Sequence, residues 1–173
     1  MATTFEKLNL KQQPAIVVLN APASFEPELS ALTAVTVQRS LANSEPVTFL
    51  LAFVTRQQEV DAIAAQLAAH APGDAIIWFA YPKGTSKRYK CEFNRDTGWA
   101  ALGAAGFEPV RQVAIDADWS ALRFRRVEFI KSMTRVKLQA MTEQGKARTE
   151  RLFEKPTHLN AKAQRCRDAE KTQ

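Results

Sequence analysis

Lys83, Lys87, Arg88 and Lys90 crowd into "AYPKGTSKRYKCEFNRDTGW", residues 80–99, beside a lone Cys91 and ahead of the cluster "NRDTGW". Ammonium and guanidinium groups at that density offer fixed positive charge to a carboxylate or phosphate. Further on, Asp116, Trp119 and Ser120 offer a carboxylate, an indole and a hydroxyl within five residues. Asn20 and Arg56 follow the apolar runs "PAIVVL" and "PVTFLLAFVT". The chemistry such a set would perform is capture of a small anionic ligand, with Lys83 holding the anion and Asp116 available as a base. Each group also has a plainer use. Charged loops are commonly just solvated, Asp96 suits the start of a helix, Asp116 and Asp118 suit a tight hairpin turn, and Trp99 and Trp119 suit a core.

Other chemistries are excluded by what the chain lacks. There is no G-x-S-x-G elbow, no H-E-x-x-H and no P-loop. The two cysteines, Cys91 and Cys166, and the two histidines, His70 and His158, form no metal-ligand spacing, so neither a metal nor a cofactor is expected. Cys91 reads as an inert small residue, although its basic neighbours could lower its thiol pKa. No run approaches the roughly 18 to 20 apolar residues of a membrane span, and the N-terminus lacks a signal peptide pattern. A cytoplasmic protein with no membrane partner is the expectation.

The net charge of +6 is local. Residues 1–130 hold 13 Lys+Arg and 13 Asp+Glu, whereas residues 131–173 hold 11 and 5. The reading is therefore one domain over 1–130 and a basic tail over 131–173. Met133, Val136, Ala140 and Met141 are spaced for a helix, and the remainder is polar enough for disorder. Nucleic acid could be bound only through that tail, whose acids and scarcity of aromatics argue against it.

The elements that must position the polar residues follow from pattern. "PAIVVLN" (14–20), "AVTVQRS" (34–40), "PVTFLLAFV" (46–54) and "DAIIWFAYP" (74–82) read as strands, the apolar ones buried on both faces. Val60, Ile63, Ala64, Leu67 and Ala71 mark a helix stopped by Pro72-Gly73. A short helix capped by Ser24 follows the first strand, and another runs from about Asp96 to Ala105. "FEPVRQVAID" and "WSALRFRRVEF" form an antiparallel pair. The edges offered by strands 2 and 5 could pair with a protein partner or a second copy.

This order of elements resembles a shortened Rossmann-like methyltransferase fold. The resemblance implies a three-layer mixed sheet of six strands, order 2-1-3-4-6-5, with strand 6 antiparallel and helices on both faces. The words "YPKGTSK", "NRDTGW" and "VRQVAIDADWSALRFR" are also similar to those of a family of small uncharacterised bacterial proteins, a domain of unknown function, over residues 10–135. That likeness implies no activity.

One departure from methyltransferases governs the functional expectation. No glycine precedes Gly73, so the glycine-rich turn after strand 1 is missing. Pro22 removes an amide, Glu26 and Glu28 put negative charge where phosphate would sit, and no acidic residue closes strand 2. The expectation is a non-catalytic or degenerate binding domain. Its candidate anion-binding rim, beyond the carboxyl ends of the strands, comprises Asn20, Arg56, Lys83, Lys87, Arg88, Asp116, Trp119 and Ser120. An enzyme acting on a small phosphorylated or carboxylated metabolite is the alternative.

Overall fold

Alternation of apolar side chains decides the architecture. In β3 (Phe49–Phe53), Phe49, Leu51 and Phe53 belong to one face and Leu50 and Ala52 to the other; all five are buried. In β4 (Ile76–Pro82), Ile76, Trp78 and Ala80 oppose Ile77, Phe79 and Tyr81 in the same way. Strands apolar on both faces need cover on both.

The computed structural model, which describes residues 1–42, 45–131 and 140–147, supplies that cover. β1 (Ala15–Leu19), β2 (Thr36–Gln38), β3, β4, β5 (Phe107–Ala114) and β6 (Trp119–Arg126) form one sheet in the order β2-β1-β3-β4-β6-β5. The pairs β1–β2, β1–β3 and β3–β4 are parallel, and β6 runs antiparallel to both β4 and β5. This is the Rossmann-like order expected from the sequence.

α1 (Thr4–Lys7) and α2 (Glu26–Ser30) cover one face, where Phe5, Leu8, Phe25 and Leu29 pack on Phe49, Phe53 and Trp78. The Trp78 indole N–H donates to the Leu8 carbonyl at 2.7 Å, tying the N-terminal segment to the sheet. α3 (Gln57–His70) and α4 (Ala100–Ala104) cover the other face through Val60, Ile63, Ala64, Leu67 and Leu102. Beyond the end of α3, the Arg126 guanidinium donates to the carbonyls of Ala68 and Ala71 and lies 4.8 Å from the Phe107 ring. Those carbonyls would otherwise lack partners.

Boundaries depart from expectation where side chains compete with the backbone. β2 has three residues instead of seven, because only its middle, Thr36–Gln38, pairs with β1. The helix expected from Asp96 starts at Ala100, because the Asn94 carboxamide oxygen accepts the amides of Asp96 and Thr97 and holds a turn there. Gly98 completes it at φ 89°, with the Phe93 Cβ 2.5 Å from where a Cβ would stand. Ser24 does not cap α2; it lies inside a short 3-10 turn, Ala23–Phe25. α1, unforeseen, is held by a capping box between Thr3 and Glu6.

Residues 140–147 return to the body. The Glu108 carboxylate, 1% exposed, accepts the amides of Met141 at 2.7 Å and Thr142 at 2.6 Å. The Thr142 hydroxyl accepts the Gly145 amide at 2.9 Å, at the start of a helical turn over 143–147. Met133 and Val136, on which the expected helix of the tail rests, and the polar residues beyond 147 lie outside the described residues.

Candidate functional site

A cavity of about 790 Å³ opens beyond the carboxyl end of β4, where β6 begins. Its inner wall comes from three strands. Tyr81 of β4 pairs with Ser120 of β6, and Ala114 of β5 pairs with the same serine, so the three strands meet at this point. Tyr81 and Ser120 are 5% and 6% exposed and form the floor together with Phe93. The loop over residues 83–95 forms the opposite wall and the mouth, with Tyr89, Lys90, Cys91, Asn94 and Arg95.

Hydrogen bonding at the floor leaves one proton unspent. The Gln112 amide donates to the Tyr81 hydroxyl at 2.9 Å, so the phenol oxygen is already an acceptor and its own proton remains to be given. Burial raises the Tyr81 pKa, with the Asp96 and Cys91 charges adding and Arg95 and the Gln112 bond opposing. The phenol is therefore a donor at neutral pH. Burial also pushes the Cys91 thiol up, with Glu92 and Glu59 adding to it. Only the backbone hydrogen bond from Phe93 opposes these, so the thiol stays protonated at neutral pH, in keeping with an inert residue.

The expected rim divides. Lys83 and Ser120 line the cavity. Lys83 is already engaged, its ammonium donating to the Asp116 carbonyl at 2.5 Å and its amide to the Asp118 carbonyl at 2.7 Å. Asp116 is spent on the hairpin turn, accepting the amides of Asp118 and Trp119 at 2.8 Å each. Asp118 accepts the Ser86 hydroxyl at 2.8 Å and faces Arg88 at 4.0 Å. Lys87 and Arg88 are exposed outside the cavity lining. Trp119 does not wall the cavity. It is 3% exposed on the opposite face of the sheet, edge-on to Phe53 at 5.1 Å and tilted against Tyr89 at 4.9 Å. Neighbouring residues of a strand point to opposite faces, so Trp119 and Ser120 cannot share a pocket.

Asn20 and Arg56 belong to a second place, the carboxyl ends of β1 and β3, where the order of strands reverses. Asn20 has φ 55°, the left-handed conformation that a tight turn after the strand demands. Asparagine enters that region more readily than any bulky residue, so the turn survives without glycine. Arg56 precedes α3, at whose start two carboxylates accept backbone amides. Glu59 accepts from Thr55 and Arg56 at 2.8 and 3.0 Å, and Glu92 accepts from Gln57 at 2.8 Å. With two carboxylates on those amides, phosphate has no place at this helix start.

A carboxylate also stands at the tip of β2, contrary to expectation. Arg39, the residue after the strand, donates from both guanidinium nitrogens to Glu26 at 2.9 and 2.8 Å. The Arg39 hydrogen bonds hold the Glu26 carboxyl below its ordinary range. The acid that strand 2 lacks in sequence thus arrives from the start of α2.

Among the described residues, no group of three or more His, Cys, Asp or Glu side chains is placed to hold a metal ion, and no helix is long and apolar enough to cross a membrane.

No family model matches the chain, and no curated protein matches it. Among solved structures, it is similar to a SAM-dependent methyltransferase from Aquifex aeolicus, with 17% identity, TM-score 0.51, and coverage of 71% of this chain and 87% of that one. It also aligns with a fibrillarin pre-rRNA processing protein from Methanococcus jannaschii at 10% identity and TM-score 0.45, covering 73% and 69%. Magnesium protoporphyrin IX methyltransferase from Synechocystis aligns at 12% and 0.45, covering 71% and 74%. The first likeness is one of fold. It overturns the ground for reading this body as a non-catalytic or degenerate module and for counting it against the enzymes, since that reading rested on departure from the methyltransferase pattern and the fold is similar to that of a SAM-dependent methyltransferase.

Proposed function

We propose that this chain is a methyltransferase using S-adenosylmethionine, with the cofactor across the carboxyl ends of β2, β1 and β3 and the methyl acceptor in the cavity over β4 and β6. The observation that carries the reading is the left-handed Asn20 at the end of β1, in a fold similar to that of the Aquifex enzyme. It answers the conformational part of the objection raised by the missing glycine. Two further objections weaken with it. The Glu26 carboxylate, held by Arg39, supplies an acceptor for ribose hydroxyls at the tip of β2. Acidic residues near the first turn disfavour phosphate, but a sulfonium is a cation and tolerates them.

The bound cofactor would supply an electrophilic methyl group. This chain's own contribution would be positioning: Asn20 shapes the turn, Glu26 receives the diol, and Tyr81 and Ser120 orient the acceptor. The carboxylates at the start of α3 support a cofactor without phosphates. We also read the chain as cytoplasmic and as kin to the small bacterial proteins whose words it shares.

Calorimetric titration of the full chain with S-adenosylhomocysteine tests the proposal. Saturable binding weakened at least tenfold in Glu26→Gln is expected. Absence of binding at 1 mM ligand (about −4 kcal/mol or weaker) would remove it.

A further inference from the structure

The lining of the β4–β6 cavity carries three cations, Lys83, Lys90 and Arg95, and no Asp or Glu. Lys83 is held by the Asp116 carbonyl. Lys90 and Arg95 are exposed at the mouth, and among the described residues neither makes an ion pair. At the other end, the Tyr81 phenol has its proton free while Gln112 occupies its lone pair, and the Ser120 hydroxyl lies beside it on the paired strand. Tyr89 and Phe93 add aromatic rings to the lining.

Polarity therefore divides the lining. The exposed cations stand on the loop and the buried hydrogen-bond donors on the strands, with aromatic rings among the lining. From this we infer that the cavity takes a small planar aromatic carboxylate, its anion outward against Lys90 and Arg95 and an oxygen at its far end against Tyr81 and Ser120. A cationic molecule finds no carboxylate in the lining. A compact inorganic anion would leave the floor donors and aromatic rings without partners. The reading of the far oxygen as methyl acceptor rests on the proposed methyl transfer; binding of the carboxylate does not.

The probe is 4-hydroxybenzoate, titrated into the full chain and followed by amide chemical shifts, with neutral 4-hydroxybenzyl alcohol and cationic 4-hydroxybenzylamine in parallel. Shifts are expected for residues 81–95 and 120 with the carboxylate. Binding of the alcohol should be about tenfold weaker, and the amine should not bind, because a charge-assisted contact is lost in the first and reversed in the second. Tyr81→Phe, which keeps the ring, should weaken binding about fivefold, the loss of one hydrogen bond. Lys90→Ala with Arg95→Ala should abolish the preference for carboxylate over alcohol. Equal binding of all three probes, no binding of the carboxylate at 10 mM, or binding indifferent to these variants would overturn the inference. S-adenosylhomocysteine titrated separately keeps the two ideas apart: if it fails while 4-hydroxybenzoate binds, methyl transfer is lost and this site stands.

Discussion

Glu108→Ala should detach residues 140–147 from the body. The wild-type carboxylate is buried and accepts two amides at 2.7 and 2.6 Å, and Thr142 beside it is 5% exposed. A hydrogen bond to a charged group contributes about 1.5 to 3 kcal/mol. Two such bonds set a ceiling of about 3 to 6 kcal/mol, but released amides regain water once the segment leaves. A loss of about 2 to 4 kcal/mol follows, or roughly 4 to 16 °C in Tm at the usual slope for a chain of this size. Glu108→Gln keeps a carbonyl oxygen that accepts both amides, and its amide group takes the place of Oε2, which has no partner. Its loss should be smaller by at least about 1 kcal/mol.

Gly103→Ala approaches the same contact from the other side, since its Cβ would stand 2.8 Å from the Met141 Cβ. Alanine raises helix propensity by about 1 kcal/mol, yet this variant should also loosen the segment. Urea unfolding gives the free energies, and hydrogen exchange read by mass spectrometry gives the protection of the 141–142 amides. If Glu108→Ala unfolds within about 0.5 kcal/mol of the parent, within the range of an ordinary surface change, and those amides stay protected, the clamp does not exist as described.

Two other substitutions probe the body. Asn20→Val should cost about 1 to 2 kcal/mol, because a β-branched residue resists the left-handed conformation, while Asn20→Gly should stay within a few tenths; equal stabilities in urea would contradict the turn. Asp74 is held below its ordinary pKa by the hydrogen bonds from Arg125, at 2.6 Å from its Nε. Its contribution is present above the unfolded carboxyl value near 4 and is lost as pH falls through the lower folded value. The pair is partly exposed, so Asp74→Asn should cost at most about 1 kcal/mol at pH 7 and progressively less as the pH falls below about 4. A difference that persists unchanged in acid would exclude the ion pair as its source.

The fold was legible because its signals are local and repeated. Period-2 alternation in the apolar strands, the i, i+3, i+4 spacing of Val60, Ile63, Ala64 and Leu67, and the closing hairpin all survive in the structure. The site was legible only where one residue type announced itself. Lys83 and Ser120 do line the cavity, whereas Tyr81 lay hidden inside an apolar strand and Gln112 stands 31 residues away on an edge strand. Only the pairing of β4, β6 and β5 brings them together. Alternation within "DWSAL" was enough to separate Trp119 from Ser120, and that signal went unused. The Glu26–Arg39 pair, 13 residues apart, had no sequence signature, because both belong to elements whose relative placement follows from the sheet.

Methyl transfer stands or falls on the carboxyl ends of β2, β1 and β3. The most direct test is an amide chemical-shift titration of the full chain with S-adenosylhomocysteine. Saturable shifts concentrated at residues 20–26 and at Arg39, absent with adenosine diphosphate, are the predicted result. No shifts at 1 mM, about a thousandfold above a micromolar Kd, or shifts confined to residues 81–95, would contradict it.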